Sequence, residues 1–84
     1  MLLSQHLAAC VNLVPGITSL YRWQGSVCED QECQLLIKTQ QSSLVELERC
    51  ILQHHPYEVP EIIAVPTVWG HQAYMEWIKQ NLTT

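Results

Sequence analysis

The tripeptide Gln24-Gly25-Ser26 sits between two long extended stretches, and it constrains the fold more than any other feature of the chain. A glycine flanked by short polar residues reads as a turn. Before it, from Cys10 to Trp23, the apolar residues Val11, Leu13, Ile17, Leu20 and Tyr21 suit an extended chain, bent or bulged at Pro15-Gly16. After it, the stretch Val27 to Thr39 ends in the apolar run Leu35-Leu36-Ile37. Two strands around a short glycine turn predict a long hairpin.

Helical signals flank the hairpin. Leu2, Leu3, His6 and Leu7 form a short apolar face that reads as the end of a helix. Ser43-Leu44-Val45-Glu46 has the form of a capping box, in which the Ser43 hydroxyl accepts from the Glu46 amide and Glu46 reaches back. Leu44, Leu47 and Ile51, extended to His54, fall on one helical stripe. Pro56 disfavours helical backbone at His55, so this helix should stop near His54. Glu61 to Trp69 is nearly all apolar and reads as a buried strand, with Pro66 at a bulge or at its paired end. After Gly70, Tyr74, Trp77, Ile78 and Leu82 give an amphipathic helix. The piece from Val27 to Trp69 is then a β-α-β unit, and the order predicts a single α+β domain over residues 1–84 with helices on one face of a sheet.

Composition narrows the function. The four basic residues, Arg22, Lys38, Arg49 and Lys79, are scattered in a chain of formal net charge −4. No basic patch is available to neutralise phosphates, so nucleic acid is not an expected partner. The longest apolar runs, such as Ile62 to Val65, are far short of a membrane span, and "MLLSQHLAAC" has no positive n-region; the expectation is a cytoplasmic protein without a membrane partner. Charged residues make up only 14% of the chain, which points to a surface shared with other subunits. Four cysteines at 10, 28, 33 and 50 include no C-x-x-C, and the expected state is reduced, mostly buried thiols.

The chemistry-bearing residues are few. His54 and His55 are the only clustered imidazoles, and imidazole suits copper and zinc. Adjacent helical side chains point about 100° apart, so joint coordination needs His55 to leave the helix, as Pro56 favours. Two imidazoles still leave a site short of ligands. The competing reading has both histidines solvating a helix C-terminus, where the macrodipole favours a cationic ring and opposes metal binding. In "CEDQEC", Cys28 to Cys33, strand alternation places the two thiols on opposite faces, so this stretch reads as a solvated hairpin arm. No G-x-S-x-G, H-E-x-x-H or glycine-rich phosphate loop is present, and the chain reads as non-enzymatic. Trp69, Tyr74 and Trp77 read as core or interface aromatics.

Four segments, "LAACVNLVPGITSLYRWQG" (7–25), "LLIKT" (35–39), "HHPYEVPEIIAVP" (54–66) and "YMEWI" (74–78), closely resemble the CutA family of divalent-cation tolerance proteins. The match runs over about residues 4–80, in order and without gaps. The resemblance implies a ferredoxin-like α+β fold with an antiparallel sheet, assembled as a tight homotrimer similar in architecture to PII signal proteins. It implies copper binding, weak and shared with other divalent cations, at the His54–His55 pair together with a cysteine in the family's first strand. It also places Trp23, Lys38, Tyr57 and Glu61 at the cleft between subunits, where a Lys38–Glu61 ion pair is conceivable. The alternative function it implies is a PII-like signalling or interaction module that binds a small ligand or partner at that cleft.

One departure from the family carries a structural expectation. The family places a strand and most of a helix before "LAACVN", whereas this chain starts near the end of that helix. In the implied sheet order 4-1-3-2 the first strand is central, so the strands at 27–39 and 61–69 lose their common neighbour. Each unpaired buried backbone group costs about 1–3 kcal/mol, against a total stability of about 5–15 kcal/mol. Either the two strands close on each other, or their edges stay open and the chain is aggregation-prone.

Overall fold

The computed structural model describes residues 2–56 and 59–82. Its frame is a two-stranded antiparallel sheet of β1 (Cys10–Trp23) and β2 (Ser26–Lys38). Gln24 and Gly25 both have positive φ, 50° and 83°, and Trp23 pairs with Ser26 across them. Two consecutive left-handed residues make the tight turn whose twist matches the strands it joins. The register slips once, between Val14 and Ile17, where Pro15 and Gly16 stand opposite Cys33 alone. Gly16 has φ 74°, which a glycine adopts without a Cβ clash. The hairpin sets the molecule's 45 Å long axis, since about 14 residues rise about 3.3 Å each.

The N-terminal turn is tied to the open end of the hairpin, where Ala9 N–H donates to the Lys38 carbonyl at 2.9 Å. His6 N–H donates to the Leu3 carbonyl at 3.1 Å and Leu7 N–H to the Leu2 carbonyl at 2.9 Å, with His6 left-handed at φ 58°. This nested pair with a left-handed residue is the hydrogen-bond signature of a helix end, in agreement with the sequence pattern. The Thr39 hydroxyl donates to the Leu7 carbonyl at 2.8 Å, which ties the turn to the end of β2. Helix α1 (Leu44–His54) follows a short 3₁₀ turn at Gln41–Ser43, and helix α2 (Gln72–Leu82) closes the chain. The core is small: Ala8, Leu47, Cys50 and Leu82, drawn from the N-terminal turn, α1 and α2.

Three expectations are corrected. Ser43 makes no capping bond with its side chain. Its own N–H is already taken by the Gln40 carbonyl at 3.0 Å, because the 3₁₀ turn runs straight into α1 and leaves no orphan amide there for Glu46. Glu46 instead pairs with Arg49 one turn on. Residues 61–69 form no strand, with a bend at Val68, and all but the half-buried Ile62 are exposed instead of buried, Val68 97% and Trp69 89% accessible. Extended propensity makes a strand only where a neighbour accepts its backbone groups, and β2 pairs with β1 alone. No ladder joins 35–37 to 62–65, so the two segments have not closed on each other, and the β-α-β unit ends in an unpaired segment. Of the two readings of the C-terminal aromatics, core or interface, the core one does not hold: Tyr74 and Trp77 stack at 5.8 Å on an exposed face of α2.

Candidate functional site

The backbone changes conformation between the two clustered histidines. His54 is the last residue of α1, and His55 is already extended at φ −86°, ψ 136°, as the following proline requires. His54 Nδ1 lies 2.9 Å from the carbonyl oxygen of Cys50, one turn back. A carbonyl oxygen only accepts, so Nδ1 carries the proton and donates. In the neutral imidazole this leaves the Nε2 lone pair for another partner. Histidines that ligate metals are oriented in this way, with one ring nitrogen donating to a carbonyl and the other facing the ion. The same bond also serves the helix C-terminus. His54 is exposed and His55 is half-buried. Among the described residues no three His, Cys, Asp or Glu side chains converge to hold a metal ion. His54 and His55 are thus adjacent imidazoles at a helix end, with no third donor grouped with them among the described residues.

The cleft residues separate into two groups. Trp23, at the end of β1, and Glu61, on the extended segment, line one cavity of about 570 Å³ beside the hairpin tip. Lys38 is elsewhere: its ammonium donates to the Asn12 side-chain oxygen across the hairpin. No Lys38–Glu61 ion pair forms, and Glu46 pairs with Arg49 on α1. Asn12 lies opposite Leu36 and Lys38 opposite Cys10, so the two side chains share a sheet face and meet diagonally. Tyr57 lies outside the described residues.

The cavity contains residues that the sequence reading passed over. Tyr21 and Asp30 lie on the same face as Trp23, and the Tyr21 hydroxyl donates to the Asp30 carboxylate. That bond, with the nearby negative charge, pushes the Tyr21 pKa up to about 12. Strand alternation gave a usable signal, because Tyr21, Trp23, Asp30 and Glu32 fall on one face only once the two-residue turn fixes the register. Cys28 and Cys33 fall on opposite faces, and all four cysteines are free thiols.

Comparison with known proteins places this geometry. Residues 1–81 match the family described as CutA1 divalent ion tolerance protein. The chain is 50% identical over 80 residues to the divalent-cation tolerance protein CutA of Thermus thermophilus, covering 95% of this chain and 78% of that one. The solved structure of the Thermus protein superposes with a TM-score of 0.93. The chloroplastic protein CutA of Arabidopsis thaliana is 48% identical, and there the chain spans 44% of the relative's length. A solved structure described as the PII-like protein CutA from Nostoc sp. PCC 7120 superposes with a TM-score of 0.90 at 32% identity, covering 98% of this chain and 80% of that one. The fold is thus α+β and ferredoxin-like, and the chain belongs to the CutA1 divalent ion tolerance protein family.

Proposed function

We propose that this chain acts in divalent-metal tolerance as a non-enzymatic, cytoplasmic homotrimer that binds copper weakly through His54 and His55. The observation that carries the reading is the His54 Nδ1 contact with the Cys50 carbonyl, which orients the ring and leaves Nε2 as a donor. Two imidazoles are a partial set, so affinity stays low and further ligands come from outside this pair. The small core supports an assembly of subunits. Among the described residues four are buried, too few to hold a domain of this size alone, while Leu13, Leu20, Val27, Leu35 and Leu36 are exposed along the hairpin. Burying those side chains against neighbouring subunits supplies what the isolated chain lacks.

Isothermal titration with copper tests the metal site. Binding should weaken at least tenfold in His54→Ala and in His55→Ala. Unchanged affinity in the double variant would remove the pair from the site.

The cavity at the hairpin tip favours a second reading, a PII-like module that binds a small ligand at the cleft. Its support is that Trp23 and Glu61 line one concavity. Ligand binding that Trp23→Leu weakens and His54→Ala leaves alone would favour it.

A further inference from the structure

The cavity beside the hairpin tip is lined by two aromatic rings and three carboxylates. Tyr21 and Trp23 come from β1, Asp30 and Glu32 from β2, and Glu61 from the extended segment, where Val59 adds an apolar patch. No lysine or arginine is among its lining residues. The three carboxylates therefore face the cavity without an internal counter-charge. They are also spread around it, since no three acidic, histidine or cysteine side chains among the described residues are grouped closely enough to hold a metal ion. A cavity of about 570 Å³ has room for a small organic molecule. Tryptophan is the strongest of the ring faces for a cation, and a wall of separated carboxylates suits charges that are themselves separated.

Deepening the second reading above, and resting on it, we propose that this cavity binds an organic cation: an ammonium or guanidinium group, or two of them, carried on a short apolar body. One charged group lies over Trp23 and pairs with Glu61. The other reaches Asp30 and Glu32, and the aliphatic body crosses Leu20 and Val59. Tyr21 does not titrate in the physiological range, so its hydroxyl keeps donating to Asp30 and holds that carboxylate against the strand. The site shares no residue with the His54–His55 pair.

The test is isothermal titration of the assembled protein with agmatine, which carries a guanidinium and an ammonium on four carbons, beside calcium chloride and the dianion succinate. Saturable agmatine binding is expected, at least tenfold weaker in Trp23→Leu and in Glu61→Gln and unchanged in His54→Ala. Glu46→Gln, which removes a carboxylate on α1, should leave it unchanged. Equal weakening in Glu46→Gln would reduce the effect to general charge attraction and overturn the proposal. Competition by calcium, with the same dependence on Glu61, would also overturn it in favour of a hard metal ion. Binding of succinate that Trp23→Leu abolishes would overturn the cation while leaving a small-ligand cleft standing. Absence of binding by all three probes would overturn the cation and count against the cleft reading itself.

Discussion

His54 Nδ1 and the carbonyl oxygen of Cys50 are joined at 2.9 Å across the last turn of α1, so one ring nitrogen closes the helix and Nε2 takes no part in that bond. Two roles that compete in the sequence are compatible here. A cationic ring would satisfy the macrodipole and exclude a metal. A neutral ring donating through Nδ1 keeps the helix bond and leaves Nε2 as a ligand. The expected tautomer of His54 is therefore Nδ1–H. Long-range nitrogen–proton correlation spectra above the ring's titration range should show it, and an Nε2–H ring would remove the basis for metal binding at this residue.

The hairpin turn gives a stability prediction. Gly25 stands at φ 83° and Gln24 at φ 50°. A side chain at a left-handed position costs roughly 1–2 kcal/mol, and asparagine tolerates that region better than glutamine. Gly25→Ala should destabilise by about 1 kcal/mol, whereas Gln24→Asn should stabilise by a few tenths. Denaturant midpoints of the two variants should move in opposite directions. A shared direction would mean that the turn does not limit hairpin stability.

Tyr21 gives a pH prediction. Its hydroxyl donates to Asp30, and its pKa is raised from 10.0 to about 12. A raised folded-state value means that this bond contributes stability in full below the unfolded pKa, near 10, and loses it as pH rises through about 12. Phenolate absorbance should show one tyrosine titrating late, and Asp30→Asn should bring it down to the ordinary range. If Tyr21→Phe left the late component in place, the assignment to Tyr21 would be wrong.

Much of the fold was legible because local rules fixed it. Gly25, Pro15-Gly16 and the Pro56 constraint on His55 each act within a few residues, and the structure places the turn, the bulge and the helix end accordingly. What failed depended on partners. The capping box at Ser43 gave way to a 3₁₀ turn whose own hydrogen bonds the sequence pattern does not show. The apolar run at 61–69 has the composition of a strand, but composition could not supply a pairing neighbour, and no strand forms there. Cys50 is buried as expected of a reduced thiol, whereas Cys10 and Cys28 are half-buried and Cys33 is exposed, because they lie on a hairpin with no layer over it. Of the candidate site, the histidines stand out by adjacency alone. Asp30 and Tyr21 required the register, and so did the Lys38–Asn12 contact, because the two residues are joined only across the hairpin.

The small core makes each of its members matter. Leu47 is 6% exposed and faces the N-terminal turn's side of the molecule together with Cys50, whose thiol donates to Gln5. Truncating a buried leucine costs about 2–5 kcal/mol. That is a large share of the stability expected of a small domain. Leu47→Ala should therefore abolish cooperative thermal unfolding, whereas Val45→Ala, one face away and 67% exposed, should leave the transition within a few degrees. Equal effects would show that α1 does not anchor the core.

The last prediction concerns the open edges. The outer edge of β2 carries Leu35 and Leu36, and the extended segment carries Ile63 and Val65; all four are exposed, and neither backbone is paired on the facing side. Unpaired apolar strands of this kind template pairing with other chains. The 84-residue chain on its own should therefore associate with rising concentration, and light scattering should detect species larger than a trimer. A lysine on the extended segment should suppress this, because a charge interrupts sheet addition without touching the buried core. Ile63→Lys and Val65→Lys are the variants to compare, with Val45→Lys on the exposed face of α1 as the control. Suppression by the first two and not by the third would assign association to the open segment. Equal suppression by all three would reduce the effect to net charge and refute edge pairing.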